Sequence, residues 1–462
     1  MILHEQRQPR MRPGRASTVI LIILAGLVLV VGIYAGYRYY QRHWIVRNEA
    51  LINELMEATI IEDAGDASAI GDWPQWRGPR RDGVSLETGL LTEWPAGGPK
   101  KLWEAKTGVG YSSVAVADGR AITMVQDGDD EAVVCWNADT GKELWRFRYS
   151  CHYVNSNGSG PRSTPTIDGD YVYTVGATGI FHCLKAAEGQ RVWRHDLLDE
   201  FGAQNLQWGV AFSPLIEGDL VLTNPGGGEG NSIVAFDKNT GEVAWKACDD
   251  MAGYSSPIAV TAAGERQVLF FTAAGLVSLS PRDGKVFWRF AWENGTKVSA
   301  ATPISFRAKI EDGSFDYVFV SSNYNKGAVL LKLLPAGAGA VKVERVYQTK
   351  QMQNHFSSSV RHGKYLYGFN DSRLACLDVT TGKAAWQERG FDKGSLTIAD
   401  GRLIILGEHG KLALAQADPT KYHELASFAF SHNQCWTVPV VANGKLYVRD
   451  QEKIVCYDLR KP

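Results

Sequence analysis

The chain has 462 residues, a net charge of −1 and 21% charged residues. That length suits one large domain with additional segments. The even charge balance gives no global field towards nucleic acid, and none is expected as a partner.

Residues 1–17 are polar and basic, with Arg7, Arg10, Arg12 and Arg15 against Glu5, and read as a cytoplasmic tail. Residues 18–40 read as a transmembrane helix. No charge occurs from Ala16 to Tyr37, and the apolar run Val19–Val31 lies inside a stretch long enough for a bilayer. Tyr34, Tyr37, Tyr39, Tyr40 and Trp44 suit the far interface. Arg38, Arg42 and Arg47 follow the helix, so the bias towards an inside N-terminus is slight. A cleaved signal peptide is the alternative. The apolar core is long for one, and no small-x-small site follows. The first cysteine is Cys135, which excludes a lipoprotein site near the N-terminus. The expectation is a single pass through the inner (cytoplasmic) membrane, with everything after it on the periplasmic, extracytoplasmic side.

Residues 41–70 read as a helical stalk and linker. Ile45, Leu51, Ile52, Leu55, Met56 and Ile60 fall near helical spacing over 41–64, and Gly65 to Gly71 is small and acidic. A helix packed on a partner is the other reading. Residues 71–99 form a Trp- and Pro-rich lead-in. Trp73, Trp76 and Trp94 are too apolar to leave in water, and core packing is preferred for them over ligand stacking.

From residue 100 onward one pattern repeats. Ala235-Phe236-Asp237-Lys238-Asn239-Thr240-Gly241 leads to Trp245 as strand, tight turn and strand. Gly141 leads likewise to Trp145, Gly189 to Trp193, Gly284 to Trp288 and Gly382 to Trp386, always four positions apart. Trp145, Trp193, Trp245 and Trp288 follow one another at 43 to 52 residues, the period of propeller blades. Trp103 resembles the outgoing strand of a repeat with no turn before it. Val455-Cys456-Tyr457-Asp458 begins a repeat and stops. The N-terminal strand is therefore expected to complete the last blade and remove both open edges.

This motif is similar to the repeat of the PQQ-like β-propellers, which include quinoprotein dehydrogenases and BamB-type outer-membrane assembly factors. Asp72-Trp-Pro-Gln-Trp-Arg-Gly-Pro79, Ser213-Pro-Leu-Ile-Glu-Gly-Asp219 and Lys393-Gly-Ser-Leu-Thr-Ile-Ala-Asp-Gly-Arg-Leu403 resemble a membrane-anchored, planctomycete-type family of such proteins. The resemblance implies an all-β, PQQ-like propeller over roughly residues 100–462.

Blade starts can be counted separately. Tyr111-Ser112, Arg162-Ser163, Phe212-Ser213, Tyr254-Ser255, Ala301-Thr302, Phe356-Ser357, Gly394-Ser395 and Trp436-Thr437 each open an alternating segment, giving eight. The fifth blade (about 297–350) and the seventh (about 391–430) lack the Trp turn. Small Ser and Thr suit innermost strands, which converge on the axis. The residues just before them crowd one mouth of the channel: Tyr111, Arg162, Gln207, Trp208, Tyr254, Asn354, His355, Lys393 and Trp436. These are the candidate ligand-binding residues; plugging or hydrating the channel is the alternative role.

No catalytic or metal constellation emerges. The histidines show no tight ligand spacing. Gly226-Gly227-Gly228-Glu229-Gly230 lacks the helix and the Lys-Ser/Thr of a phosphate loop. Cys135, Cys183, Cys376 and Cys456 share one repeat position and predict buried small hydrophobes rather than disulfides. The resemblance leaves two roles open. One is a non-enzymatic scaffold or binding module for cell-envelope proteins or peptides, with no cofactor. The alternative is a PQQ-dependent alcohol or sugar dehydrogenase. In that family adjacent cysteines commonly clamp the quinone, and carboxylates hold Ca²⁺. This chain has no adjacent cysteines, and its candidate list has no Asp or Glu, which favours the scaffold.

Overall fold

The computed structural model describes Gly26, Val28–Val30, Gly32 and Tyr34, and residues 47–61, 70–311, 313–337 and 339–461. The six isolated residues are helical. Otherwise the tail (1–17) and the segment expected to cross the membrane (18–40) lie outside the described residues, and among the described residues no helix is long and apolar enough to cross a membrane.

Eight antiparallel four-stranded blades make the propeller, two of them extended by a fifth strand from the N-terminal region. Blade 1 is Ala115–Ala117, Arg120–Asp127, Asp130–Asn137 and Glu143–Ser150. Blade 2 is Thr166–Asp168, Tyr171–Val175, Ile180–Lys185 and Arg191–Asp196. Blade 3 is Leu215–Glu217, Leu220–Thr223, Ile233–Asp237 and Val243–Ala247; blade 4 is Ile258–Ala262, Glu265–Phe271, Gly275–Leu279 and Val286–Ala291. Blade 5 is Ile304–Ile310, Gly313–Ser322, Gly327–Pro335 and Val341–Thr349; blade 6 is Val360–His362, Tyr365–Asn370, Arg373–Asp378 and Lys383–Glu388. Blade 7 is Ser395–Ala399, Arg402–Leu406, Lys411–Gln416 and Glu424–Ala429. In blade 8, Val440–Ala442, Lys445–Arg449 and Lys453–Asp458 are completed by Lys101–Lys106, which pairs antiparallel with Lys453–Asp458. The expected closure by the N-terminal strand is therefore present, and it joins the two ends of the ring with a ladder of backbone hydrogen bonds.

The repeat motif works as a latch between blades. Within a blade the small residue faces the Trp across the ladder: Cys135 opposite Trp145, Cys183 opposite Trp193, Ala235 opposite Trp245, Cys376 opposite Trp386, and Cys456 opposite Trp103. A bulge follows at once, which turns the strand into the Asp/Asn-Thr-Gly turn. Each of these indoles then reaches the next blade, whereas Trp288 Nε1 donates within blade 4, to Gln267 Oε1 at 2.9 Å. Trp103 Nε1 donates to Ala138 O at 3.0 Å, Trp145 to Ala186 O at 2.9 Å, and Trp386 to Asp418 O at 2.8 Å. The turn glycine of that next blade lies under the ring: a Cβ on Gly189 would sit 2.5 Å from Trp145, and one on Gly284 2.6 Å from Trp245. Gly and Trp of neighbouring blades thus need one another. In blade 5, which lacks the Trp, Tyr347 takes its place, donating to Val379 O at 2.7 Å and lying 2.6 Å from a Cβ built on Gly382.

Two N-terminal expectations change. The helix expected over 41–64 spans Glu49–Glu57, capped by the Asn48 side chain, and gives way to a strand, Thr59–Ile61, paired with Ile304–Ile310 of blade 5. Nor does the helix stand away from the propeller as a stalk. Ile52 and Leu55 are buried against Phe306, Phe319 and Tyr347, and Glu54 pairs with Lys332. Burying that apolar face against blade 5 stabilises a helix too short to persist alone.

The lead-in, expected to pack on the propeller through its Trp residues, fills the channel. Trp73 bridges Val116 of blade 1, and Pro74 O accepts from Ile167 of blade 2. Trp76 Nε1 donates to Thr302 Oγ1 of the blade 5 start at 2.9 Å. Arg77 donates to Ser359 O at the start of blade 6 at 2.7 Å, and Val84–Ser85 pairs parallel with Ile398 and Ala399 of blade 7. Arg81 donates to Pro257 O at 2.9 Å, Ser213 O at 3.3 Å and Pro214 O, reaching blades 3 and 4. Both arginines are buried and take positive φ, 62° and 57°. Burial lowers Arg81 to about 9 and Arg77 to about 10, so each remains a cation near neutrality. Trp73 and Trp94 pack in cores as expected, Trp94 edge-on to Phe428 between blades 7 and 8.

Candidate functional site: the axial basin

The innermost strands open with Ser and Thr for a reason beyond size. Their hydroxyls run blade to blade around the axis. Ser113 N donates to Thr164 Oγ1 at 3.1 Å, Thr164 N to Ser213 Oγ at 2.9 Å, and Ser213 N to Ser256 Oγ at 2.9 Å. Thr302 N donates to Ser358 Oγ at 2.8 Å, and Ser395 Oγ donates to Thr437 O at 2.6 Å. This belt satisfies strand ends where no ladder partner exists. The residues before it are thereby held around one mouth.

Those residues surround a cavity of about 320 Å³, within the range of small-ligand sites. Seven of the nine residues expected at the mouth line it: Tyr111, Arg162, Trp208, Tyr254, His355, Lys393 and Trp436. Gln207 and Asn354 are not among its lining. Gln207 is exposed and offers its backbone carbonyl to Tyr153 and Asn155. Asn354 is buried, bonded to Phe369 O and Ser359 Oγ, and fixes the start of blade 6. The residues missed were Trp76, Asn157, Tyr324 and Phe356, with small ones such as Ala211 and Ala300. Phe356 stood in a blade-start motif one position past the residue chosen. Trp76 comes from the plug and Tyr324 from the turn between the second and third strands of blade 5, where no repeat signal pointed.

Two aromatic walls face the axis. Tyr111, Trp436 and Phe356, from blades 1, 8 and 6, form one, with ring centroids 5.2 and 4.8 Å apart. Trp208 and Tyr254, from blades 3 and 4, form the other at 5.6 Å. Trp76 reaches the cavity from the plug, and the loop 151–161 contributes Asn157 to its lining. Arg162 clamps that loop through Gly158 O and Gly160 O, its guanidinium 4.6 Å from the Tyr153 ring centroid. Tyr111 OH donates to Asn157 O at 3.0 Å. Gly158 is required there, since a Cβ would lie 1.8 Å from that hydroxyl.

The cavity favours negative charge. Its lining holds two cations, Arg162 and Lys393, and no carboxylate. Glu408 stands behind the wall, accepting from Trp436 Nε1 at 3.0 Å and the Lys393 backbone N–H at 3.2 Å. Burial and the nearby Lys393 ammonium hold His355 below its ordinary range, so it is neutral near pH 7. Burial pushes Tyr254 up to about 12. Across the plug a second cavity, about 490 Å³, is lined by Arg80, Arg81, Arg266, Arg307 and Arg361. Here Arg266 pairs with Glu217 at 2.6 Å and Arg307 with Asp316 at 2.8 Å.

The basin does not fit a quinone held by Ca²⁺. That ion takes six to eight oxygens, several of them charged, whereas the charged side chains lining the cavity are cations. Among the described residues no cluster of three His, Cys, Asp or Glu side chains has metal-holding geometry. All seven cysteines are free thiols, and burial pushes Cys135, Cys183, Cys376 and Cys456 up to about 12, as befits packing residues.

Fold and site together define an eight-bladed PQQ-like propeller with a plugged channel and an aromatic basin at one mouth. Residues 129–388 match the family described as outer membrane protein assembly factor BamB, and the chain belongs to that family. Comparison with curated proteins finds no significant match. Among solved structures it is similar to quinohemoprotein alcohol dehydrogenase from Comamonas testosteroni: TM-score 0.62 and 13% identity over 90% of this chain and 84% of that one. Quinohemoprotein alcohol dehydrogenase ADHIIG from Pseudomonas putida HK5 gives 0.61 and 12%, over 87% and 83%. BamB from Moraxella catarrhalis gives 0.50 and 15%, over 78% and 99%. At these identities the likeness is one of fold, shared by a dehydrogenase and an assembly factor alike.

Proposed function

We propose that this chain is a membrane-anchored, extracytoplasmic binding module of the cell envelope: a scaffold whose axial basin receives a segment of an envelope protein, as the BamB-type resemblance suggests. The observation that carries this reading is the basin itself, walled by aromatic rings, blocked below by the plug and free of lining carboxylates. Aromatic rings supply large contact area at low entropic cost, and the plug keeps a ligand from passing through. The anchor rests on the uncharged run from Ala16 to Tyr37.

The test uses the full-length chain in its membrane. A photo-crosslinking residue at Ala211 or Ala300, both in the basin lining, is expected to capture a discrete envelope protein. The same residue at Leu144, exposed on an outer strand of blade 1, is not, and Trp436→Ala should abolish the capture. Equal capture at Leu144 and Ala211, or capture indifferent to Trp436→Ala, would remove the basin from the proposal. Titration with pyrroloquinoline quinone and Ca²⁺ addresses the dehydrogenase reading. Micromolar, Ca²⁺-dependent binding with alcohol-dependent dye reduction would overturn the scaffold.

A further inference from the structure

The basin's chemistry says what a partner segment must carry. Three groups bear on this. The first is the Tyr111–Trp436–Phe356 wall, in which the Trp436 ring packs on both neighbours at interplanar tilts of 33° and 32°. The second is Lys393, at the start of blade 7, in sequence between the blades that supply Phe356 and Trp436. Arg162 spends its guanidinium on Gly158 O and Gly160 O. Lys393, by contrast, makes its hydrogen bond, to Glu408, through the backbone N–H, and among the described residues no ion pair engages its ammonium. The third is the opposite wall, Trp208 and Tyr254, with Trp76 from the plug.

We infer that the basin reads an acidic side chain next to an aromatic one in an internal loop of the partner, the carboxylate on Lys393 and the ring between the two walls. This rests on the proposed function and names the chemistry of its partner. Charge complementarity favours an acidic segment, since Arg162 and Lys393 are the charged residues lining the cavity and Glu408 stands behind the wall. An aromatic neighbour fills the apolar gap that a carboxylate alone leaves open, and ring pairs add to simple burial. The size agrees: about 320 Å³ takes one or two side chains, not a folded domain. A basic segment would meet Lys393 and Arg162 without a lining counter-charge.

Blocked hexapeptides (acetylated and amidated) titrated calorimetrically into the full-length chain in detergent test this. One carries aspartate-phenylalanine at its centre; the others carry asparagine-phenylalanine, aspartate-alanine and lysine-phenylalanine. The first should bind best. The asparagine peptide should bind about tenfold more weakly, the scale of one lost charge-assisted hydrogen bond. Lys393→Gln should erase the preference for aspartate over asparagine with an unchanged melting temperature. Ala211→Trp, which fills the basin, should abolish binding of all four. Equal binding of the aspartate and asparagine peptides, a preference that survives Lys393→Gln, or absence of heat with every peptide would overturn the inference. If cross-linking at Ala211 and its dependence on Trp436 persist while the peptides fail, the binding-module reading stands and only the acidic-aromatic reading falls.

Discussion

His182 should make this propeller acid-sensitive, by an amount that follows from its surroundings. It lies on the third strand of blade 2 with 0% exposure, its ring 5.1 Å from that of Phe147 and 4.6 Å from that of Tyr149. Neither ring nitrogen has a hydrogen-bond partner. Burial, reinforced by Arg194 and Arg191, lowers it from 6.5 to about 3. The folded state therefore holds the neutral ring, while the unfolded chain takes up a proton below 6.5. Stability from this group is complete well above pH 6.5 and is lost progressively as pH falls towards 3. Each unit in that window is worth about 1.4 kcal/mol, so going from pH 7 to pH 5 should cost about 2 kcal/mol through this residue alone. His182→Phe keeps the size and the aromatic contacts and removes the titration. Denaturant unfolding of both proteins at the two pH values isolates the term, because all other titrating groups cancel in the comparison. The variant should lose about 2 kcal/mol less than the wild type. Equal losses would refute the reasoning.

Three further outcomes are expected. Deleting residues 100–106 should open blade 8 at Lys453–Asp458 and cause aggregation; a monomeric deletion variant with an unchanged melting temperature would show that closure matters little. Gly241→Ala should cost upwards of about 1 kcal/mol in denaturant unfolding, because the position has φ +79° and its Cβ would lie 2.9 Å from Trp193; unaltered stability would dissolve the Gly–Trp latch. Protease added to spheroplasts should digest the propeller and leave a small protected N-terminal fragment if the anchor is as proposed, whereas full protection would invert the topology.

The fold was legible because its signals repeat. Gly and Trp four residues apart recur five times, and the structure gives each pair a physical reason: the glycine makes the turn and clears room for the previous blade's ring. Even the erosion could be placed, with blades 5 and 7 identified as lacking the motif. What sequence did not reveal was the substitution that rescues blade 5, since Tyr347 sits in Val341–Thr349 with no turn motif before it. The candidate site was legible by the same logic for residues tied to a repeated position, from Tyr111 to Trp436. It failed where a residue served its own strand instead: Asn354 precedes an inner strand, yet its amide is used up on Phe369 and Ser359.

The plug was illegible for a different reason, and that reason bears on function. Arg77 and Arg81 bind largely backbone carbonyls, contacts that leave no complementary side chain to find in the sequence. Nothing about residues 72–85 alone distinguishes a segment lying on a propeller from one threaded through it. Threading nevertheless decides what the mouth can do. An open channel would let water reach the small inner-strand residues from both ends. With Trp76 bonded to Thr302 and Arg81 bonded across to blades 3 and 4, the channel becomes two separate cavities of different lining. One is aromatic; the other is lined by arginines, among them Arg266 and Arg307 paired with carboxylates. The aromatic one is then a blind basin in which contact excludes water, the condition under which a single lysine can discriminate charge. The lead-in is therefore part of the proposed binding site, and on that proposal a truncation that removed it should abolish recognition even if the eight blades still folded.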